Sequence, residues 1–365
     1  MTETPHGRDR PHLGYRPALD GLRAVAIVLV LLHHTGAFLV PGMPRWLSTG
    51  GFLGVDLFFV LSGFLITTLL LERRGRETHP IWRFYGRRAL RLFPAVAVVL
   101  LVVVVYSALA GHQVGRLPET ALFTVGYAMN WAAIAGVEVS SYISQLWSLS
   151  VEEQFYLVWP LLLFGGLRLL GSTTRVALCA VLLAAAIAVW RGALWEDGFN
   201  WLELYLRTDT HADGLFLGAA MALLPWEGVI ARVSARTATA VGAVALGLIL
   251  LASELVERTS SFLYLGGFTL IALLTLVVIA ALLRGGRLTD LLSGAAIVFV
   301  GRLSYSLYLW HFPVFTVLAE HSASWGTGPR VVAGWALAFL AAWLSYRFVE
   351  RPVLAYKRRL GAPAL

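Results

Sequence analysis

Residues 22–40 read LRAVAIVLVLLHHTGAFLV. From Ala24 to Leu32 the stretch is unbroken apolar, and it closes on the paired imidazoles of His33 and His34. A helix needs about 20 apolar residues to cross the hydrocarbon of a bilayer, and this stretch is long enough. Similar stretches recur along the chain, roughly at 50–71, 89–110, 119–136, 145–167, 176–195, 208–225, 236–254, 261–283, 292–318 and 329–348. The 365 residues are 58% hydrophobic and 14% charged, and the mean hydropathy is +0.73. Soluble domains carry about a quarter charged residues and under half apolar ones. The expected fold class is therefore all-α, a polytopic transmembrane helix bundle. No polar block is long enough for a separate soluble domain, and no period of about 20–50 residues marks a tandem array.

The net charge of +8 comes from arginines beside the apolar stretches, not from a basic surface with interleaved aromatics. That pattern excludes nucleic acid as a partner and points to the bilayer, whose cytoplasmic loops concentrate Lys and Arg. The single cysteine, Cys179, excludes an intrachain disulfide and a Cys-based metal site; no metal is expected. Residues 1–21 lack the apolar core and cleavage site of a signal peptide, so the first stretch reads as an uncleaved span.

Eleven crossings would leave the termini on opposite sides. Arg8, Arg10, Arg16 and Arg23 place the N-terminal tail inside. Arg73, Arg74, Arg76, Arg83, Arg87, Arg88 and Arg91 place the 72–91 connection inside as well, and Arg168/Arg175, Arg232/Arg236, Arg284/Arg287 and Arg347 to Arg359 do so further on. The connections 195–206, 254–260 and 319–328 are poor in basic residues. The alternation closes only if one early stretch does not cross. ETALFTVGYAMNWAAIAG at 119–136 is short, carries Asn130, and reads as a re-entrant or interfacial element. The expectation is ten spans in the cell membrane, with cytoplasmic tails 1–14 and 353–365 flanking a membrane domain of 15–352.

This topology places ionisable groups by depth. Such groups inside a membrane default to functional hypotheses. Arg23 and His34 are eleven residues apart, about three helical turns, so they share one face ~16 Å apart; His33 points about 100° away. Asp56 in GGFLGVDLFFVLSGFLI, and Glu152 and Glu153 in QLWSLSVEEQFYLVWP, fall in the same outer half as the histidines. A carboxylate beside an imidazole fixes its tautomer and raises its basicity, and such a pair can deprotonate a hydroxyl. At the inner end, IWRFYGRRALRLFP supplies Arg83, Arg87, Arg88 and Arg91, and the planar arginine fork suits phosphate. The plainer readings are arginines that only set orientation, a His33 that only packs, an Asp56 that only staples helices, and one of Glu152 and Glu153 acting as partner to a buried arginine. Asn130, Ser148, Ser150 and tyrosines are candidate donors to an oxyanion.

YRPALDGLRAVAIVLVLLHH, GGFLGVDLFFVLSGFLI, FYGRRALRLFP, LWSLSVEEQFYLVWP, LSYSLYLWHFPVF and SYRFVERP occur in that order. Together they resemble the motifs of the acyltransferase-3 family of integral membrane O-acyltransferases, from about Tyr15 to Pro352. The resemblance implies about ten spans and transfer of an acyl group, by default acetyl, from cytoplasmic acyl-CoA to a hydroxyl. Acyl-CoA is then a co-substrate, with no bound cofactor. The acceptor class is a sugar, a polysaccharide or a macrolide-like molecule. It further implies His34 as catalytic base, Arg23, Arg87, Arg88 and Arg91 on the donor, and Asp56 with Glu152 or Glu153 in orienting or polarising roles; Asn130 joins the substrate-binding set. In RTDTHADGLFLG, His211 stands where the family often has Arg, which sets no role for it. Many relatives carry a C-terminal esterase-like domain, and none is expected here. The rival expectation is a proton-coupled transporter or flippase using the same His and carboxylate groups as a relay. Oligomeric state is left open.

Overall fold

Prolines and glycines mark the helix ends. Pro17 opens α1 (Pro17–His34), and Pro80 opens α3 (Pro80–Ala110), the position where a missing N–H costs nothing. Gly111 and Gly171 take left-handed φ values of 68° and 65°, closing α3 and α6 (Trp147–Leu170). Ser172 caps α7 (Thr173–Glu196) by accepting from the Arg175 N–H, and Ser234 caps α12 (Ala235–Leu255) through the Thr237 N–H. Pro94 lies inside α3.

The computed structural model describes residues 13–40, 49–353 and 355, and among these all regular structure is helical. The expected tails therefore lie largely outside the described residues. The remaining helices are α2 (Gly54–Arg73), α4 (Leu117–Val125), α5 (Met129–Ile134), α8 (Trp201–Leu206), α9 (Thr208–His211), α10 (Asp213–Leu223), α11 (Trp226–Ala231), α13 (Phe268–Arg284), α14 (Arg287–Leu292), α15 (Ala295–His321) and α16 (Thr327–Ser345). A 3₁₀ turn at Gly51–Leu53 leads into α2, and π-helical turns continue α1 over Thr35–Leu39 and α16 over Tyr346–Glu350.

Among the described residues seven helical stretches are long and apolar enough to cross a membrane, those built on α1, α2, α3, α7, α12, α13 and α16. The 24-residue α6 and the 27-residue α15 have the length but carry more polar side chains. The fold is an all-α polytopic bundle. Segment 119–136 forms two helices of 9 and 6 residues, α4 and α5, and neither can span ~30 Å of hydrocarbon.

The stretch 208–225 departs from expectation. It is not one continuous span: the chain breaks at Arg207 and Ala212 into the four-residue α9 and the eleven-residue α10, the latter ~16 Å long. Irregular backbone at membrane depth persists only where protein covers it, and here it is covered. Nine residues of α10 are buried, and the helix packs on α2, α7 and α13 at the centre of the bundle. A Cβ at Gly63 would fall on the Leu215 carbonyl, and one at Gly218 on the Val60 carbonyl. Bare backbone on both sides brings α2 and α10 into direct contact, the small-residue packing that membrane helices favour.

Candidate functional site

The polar side chains that the sequence places at one depth separate into three clusters. The first closes α1. The Nδ1–H of His34 donates to the Val30 carbonyl at 2.9 Å and also faces Nε2 of His311 at 3.2 Å. Nδ1–H of His311 donates to the Leu307 carbonyl at 2.8 Å. A carbonyl only accepts, so both rings carry their proton on Nδ1, and His311 Nε2 presents a lone pair to His34. The tautomer leaves His34 Nε2 as a free base, with no hydrogen bond among the described residues. His34 is half-buried beside Phe38 and Phe312, whereas His311 is fully buried. The π-helical turn begins at the next residue; there Thr35 donates to Leu31 and accepts from the Trp335 indole N–H at 2.9 Å. Such turns recur at functional sites.

The second cluster corrects the placement of Asp56. Asp56 does not reach His34; its Oδ1 lies 2.9 Å from Nε2 of His211, whose Nδ1–H donates to the Tyr205 carbonyl at 2.7 Å. Phe59, Trp147, Tyr205 and Phe268 surround the His211 ring. Alongside lies Arg191, 0% exposed, forked onto both oxygens of Asp213 at 3.1 Å and tied to the Thr210 carbonyl and Thr269. His211 thus has a definite partner. Arg191 escaped the sequence reading because it stands near the end of its span, where an arginine reads as a boundary charge. These two pairs hold the broken 207–213 segment against α2 and α7.

The third cluster lies towards the Arg23 end of α1. Glu153 receives a forked contact from Arg88, 3.0 Å from Nε and 2.5 Å from Nη2, and the Arg88 guanidinium stacks 3.3 Å over Tyr156. Glu152 accepts from Ser62 at 2.7 Å and is within electrostatic reach of Arg88 and Arg23. Neither glutamate meets His34, because α6 sets both at the level of the arginines. Arg23 has Asp20 at 3.8 Å. Arg91 is half-buried, within reach of the charges on Arg23, Arg88 and Glu350, and makes no ion pair among the described residues. Glu350 itself accepts from Ser306. An open guanidinium beside two others is a site for an anion.

Two further expectations change. Arg87 turns away from Arg88 and Arg91 and forks onto Glu77 at 2.8 and 2.9 Å, with Arg73 on the same carboxylate at 3.0 Å. Burial pushes the Glu77 carboxyl up, but the two guanidiniums outweigh it and hold it below the ordinary value. Asn130 is fully buried and its polar atoms are taken: Nδ2 donates to Leu206 and Thr208, and Oδ1 accepts from Gln154. It stitches the non-crossing segment to the break before α9 and is closed to a ligand. Ser150 is likewise engaged by Met129 and Leu146, while Ser148 donates to Tyr308, whose hydroxyl donates to Gln145.

His311 is the group at this site that the sequence reading did not single out. Its signal was present in LSYSLYLWHFPVF, an imidazole inside an apolar run, where a buried polar group needs a partner.

A family model described as an acyltransferase domain matches residues 16–347. A peptidoglycan O-acetyltransferase of Listeria monocytogenes is 33% identical over 357 residues, 93% of this chain and 56% of the relative. A Bacillus subtilis protein provisionally named for the same activity is 33% identical over 365 residues, 94% of this chain and 55% of its own length. A Staphylococcus aureus protein provisionally named an O-acetyltransferase is 32% identical over 370 residues, 96% of this chain and 58% of its own. The chain spans about half the length of these relatives. No solved structure matches it. The six motifs in order, the helical bundle they build and the match over 16–347 agree, and the chain belongs to the acyltransferase-3 family.

Proposed function

We propose that the protein is a membrane O-acetyltransferase of the cell envelope, taking acetyl from acetyl-CoA at the cytoplasmic face and placing it on a hydroxyl of a glycan. The Listeria relative is named for peptidoglycan, and a sugar polymer of that kind is the acceptor proposed here. The protein resides in the cell membrane with both termini in the cytoplasm. The observation that carries the reading is His34: its Nδ1–H is occupied by Val30 and His311, so the unprotonated Nε2 is the atom left to act.

In this reading the CoA phosphates bind Arg23, Arg88 and the open Arg91, and the acyl end reaches outward along α1, ~16 Å from Arg23 to His34. His34 Nε2 takes the acceptor O–H proton as the oxygen attacks the thioester carbonyl. The tetrahedral intermediate collapses, the C–S bond breaks, and the thiolate leaves with the proton from His34. The imidazolium formed in between is stabilised by the lone pair of His311 at Nδ1–H, the part a carboxylate plays in the serine-hydrolase triad. Asp56 acts through His211, and Glu153 through Arg88; neither touches the acceptor. Arg87 holds the loop between α2 and α3.

The test is acyl transfer from radiolabelled acetyl-CoA to glycan in proteoliposomes. His34→Ala is expected to abolish turnover and Arg91→Ala to raise KM for acetyl-CoA. Turnover by His34→Ala near the wild-type rate refutes the assignment.

A further inference from the structure

The buried and half-buried arginines follow one pattern. Arg73 and Arg87 bind Glu77, Arg88 binds Glu153, Arg191 binds Asp213 and Arg207 binds Asp209. Arg284 donates to a backbone carbonyl, and Arg330 to several. Among the described residues only Arg91 and Arg258 depart from it, with no ion pair or hydrogen bond on the guanidinium. Arg91 belongs to the inner cluster described above. Arg258 lies elsewhere.

Arg258 sits in the connection between α12 and the π-helical turn at Leu263–Gly267, half-buried. Its guanidinium carbon is 5.8 Å from the Phe52 ring, 5.9 Å from Trp201 and 6.0 Å from Tyr205. These rings come from the turn before α2 and from α8, so three connections converge on one cation. The position is braced: the Arg258 carbonyl accepts from the Tyr264 hydroxyl at 2.8 Å, and Gly50 N–H donates to the Ser253 carbonyl at 2.7 Å. Phe52 also packs on His33, 5.8 Å between ring centres, and His33 on His34 at 5.2 Å. The cation therefore belongs to the same end of the bundle as the catalytic base.

Rings within about 6 Å of a guanidinium attract it through their faces. They satisfy none of its five N–H donors, which lie in the plane of the group. A cation held by its surroundings with its donors unused is matched by a ligand that accepts two parallel hydrogen bonds, a carboxylate or a phosphate. A site built for a neutral ligand would leave that charge uncompensated on binding.

We infer that Arg258 anchors the acceptor: an anionic group of a saccharide, carboxylate or phosphate, docks on its open edge and brings a neighbouring hydroxyl to His34. Calling the ligand an acceptor rests on the acetyl-transfer reading above; the anion site does not.

The test is calorimetric binding to the full chain in detergent, using a short saccharide with a free carboxylate, its carboxamide counterpart and a phosphorylated counterpart. Wild type is expected to bind one of the anionic forms about 10- to 100-fold tighter than the carboxamide, the range for a charge-assisted contact. The preferred anion identifies the source. Arg258→Met is expected to bind all three alike, and Arg258→Lys to recover part of the preference. Equal affinity for the anionic and neutral forms in wild type overturns the inference, as does a preference that survives in Arg258→Met. The wild-type comparison decides even if Arg258→Met does not fold. Acetyl transfer is measured on the same ligands: charge preference in binding without transfer leaves the anchor standing and removes the acetyl-transfer reading, and transfer without charge preference does the reverse.

Discussion

Replacing His311 by Leu removes the acceptor behind the imidazole proposed as catalytic base while keeping side-chain volume at a fully buried position. In the resting protein His34 Nδ1–H still has the Val30 carbonyl at 2.9 Å, so the ring stays in its tautomer. In the proposed mechanism the loss falls on the imidazolium formed during transfer. A hydrogen bond to a charged group is worth about 1.5–3 kcal/mol. The His34–His311 contact is 3.2 Å and shared with Val30, which places it near the lower end, about 1.5–2 kcal/mol. At 1.36 kcal/mol per tenfold in rate, kcat is expected to fall about 10- to 30-fold. KM for acetyl-CoA is expected to stay unchanged, since the arginine cluster is untouched. His311→Gln can turn an amide oxygen to Nδ1–H and is expected to restore part of kcat. The assay is steady-state transfer from labelled acetyl-CoA by purified protein in proteoliposomes, with kcat and KM determined separately. Wild-type kcat in His311→Leu, or a loss borne entirely by KM, refutes the reasoning.

Two further outcomes concern stability. Arg191→Met or Asp213→Leu alone leaves a buried charge without its counterion and is expected to cost about 3–5 kcal/mol, while the double variant recovers most of it; equal losses for single and double variants in chemical unfolding would remove the electrostatic explanation. Glu77 has a folded pKa below its ordinary value of 4.5, so its contribution is present above that value and is lost as pH falls through the lower folded one; thermal unfolding from pH 6 to about 3 is expected to show this loss in wild type and less of it in Glu77→Gln.

What the sequence made legible was the part governed by local periodicity and by charge alternation along the chain. The α1 span and the common face of Arg23 and His34 follow from helix phase. The non-crossing character of 119–136 follows from the arginine pattern, and the two short helices there agree. The break inside 208–225 was not legible, because DGLFLGAAMALL continues an apolar run. The break depends on partners supplied from elsewhere: Arg191 for Asp213, 22 residues away, and Asp56 for His211, 155 residues away. His311 acquires its meaning only from His34, 277 positions distant. The partners of Glu152 and Glu153 were not legible either. Glu153 meets Arg88, 65 residues away, and Glu152 meets Ser62, 90 residues away.

Pro94 gives the bundle a preferred place to bend. It has no N–H to offer the helical ladder, and it follows Arg91 by three residues in a helix whose buried face is sparse. The α2–α10 contact is backbone against backbone and forms the keel. The arm of α3 from Pro80 to Phe93 is the oar: a bend at Pro94 would carry Arg88 and Arg91 with it. Two of its fastenings, the Arg88–Glu153 fork and the Tyr85 hydroxyl on the Leu157 carbonyl at 2.6 Å, attach to α6, while Arg87 on Glu77 ties it to the loop after α2 and the Tyr305 hydroxyl on the Leu92 carbonyl ties it to α15. A rocking stroke therefore has to break contacts on three neighbours at once.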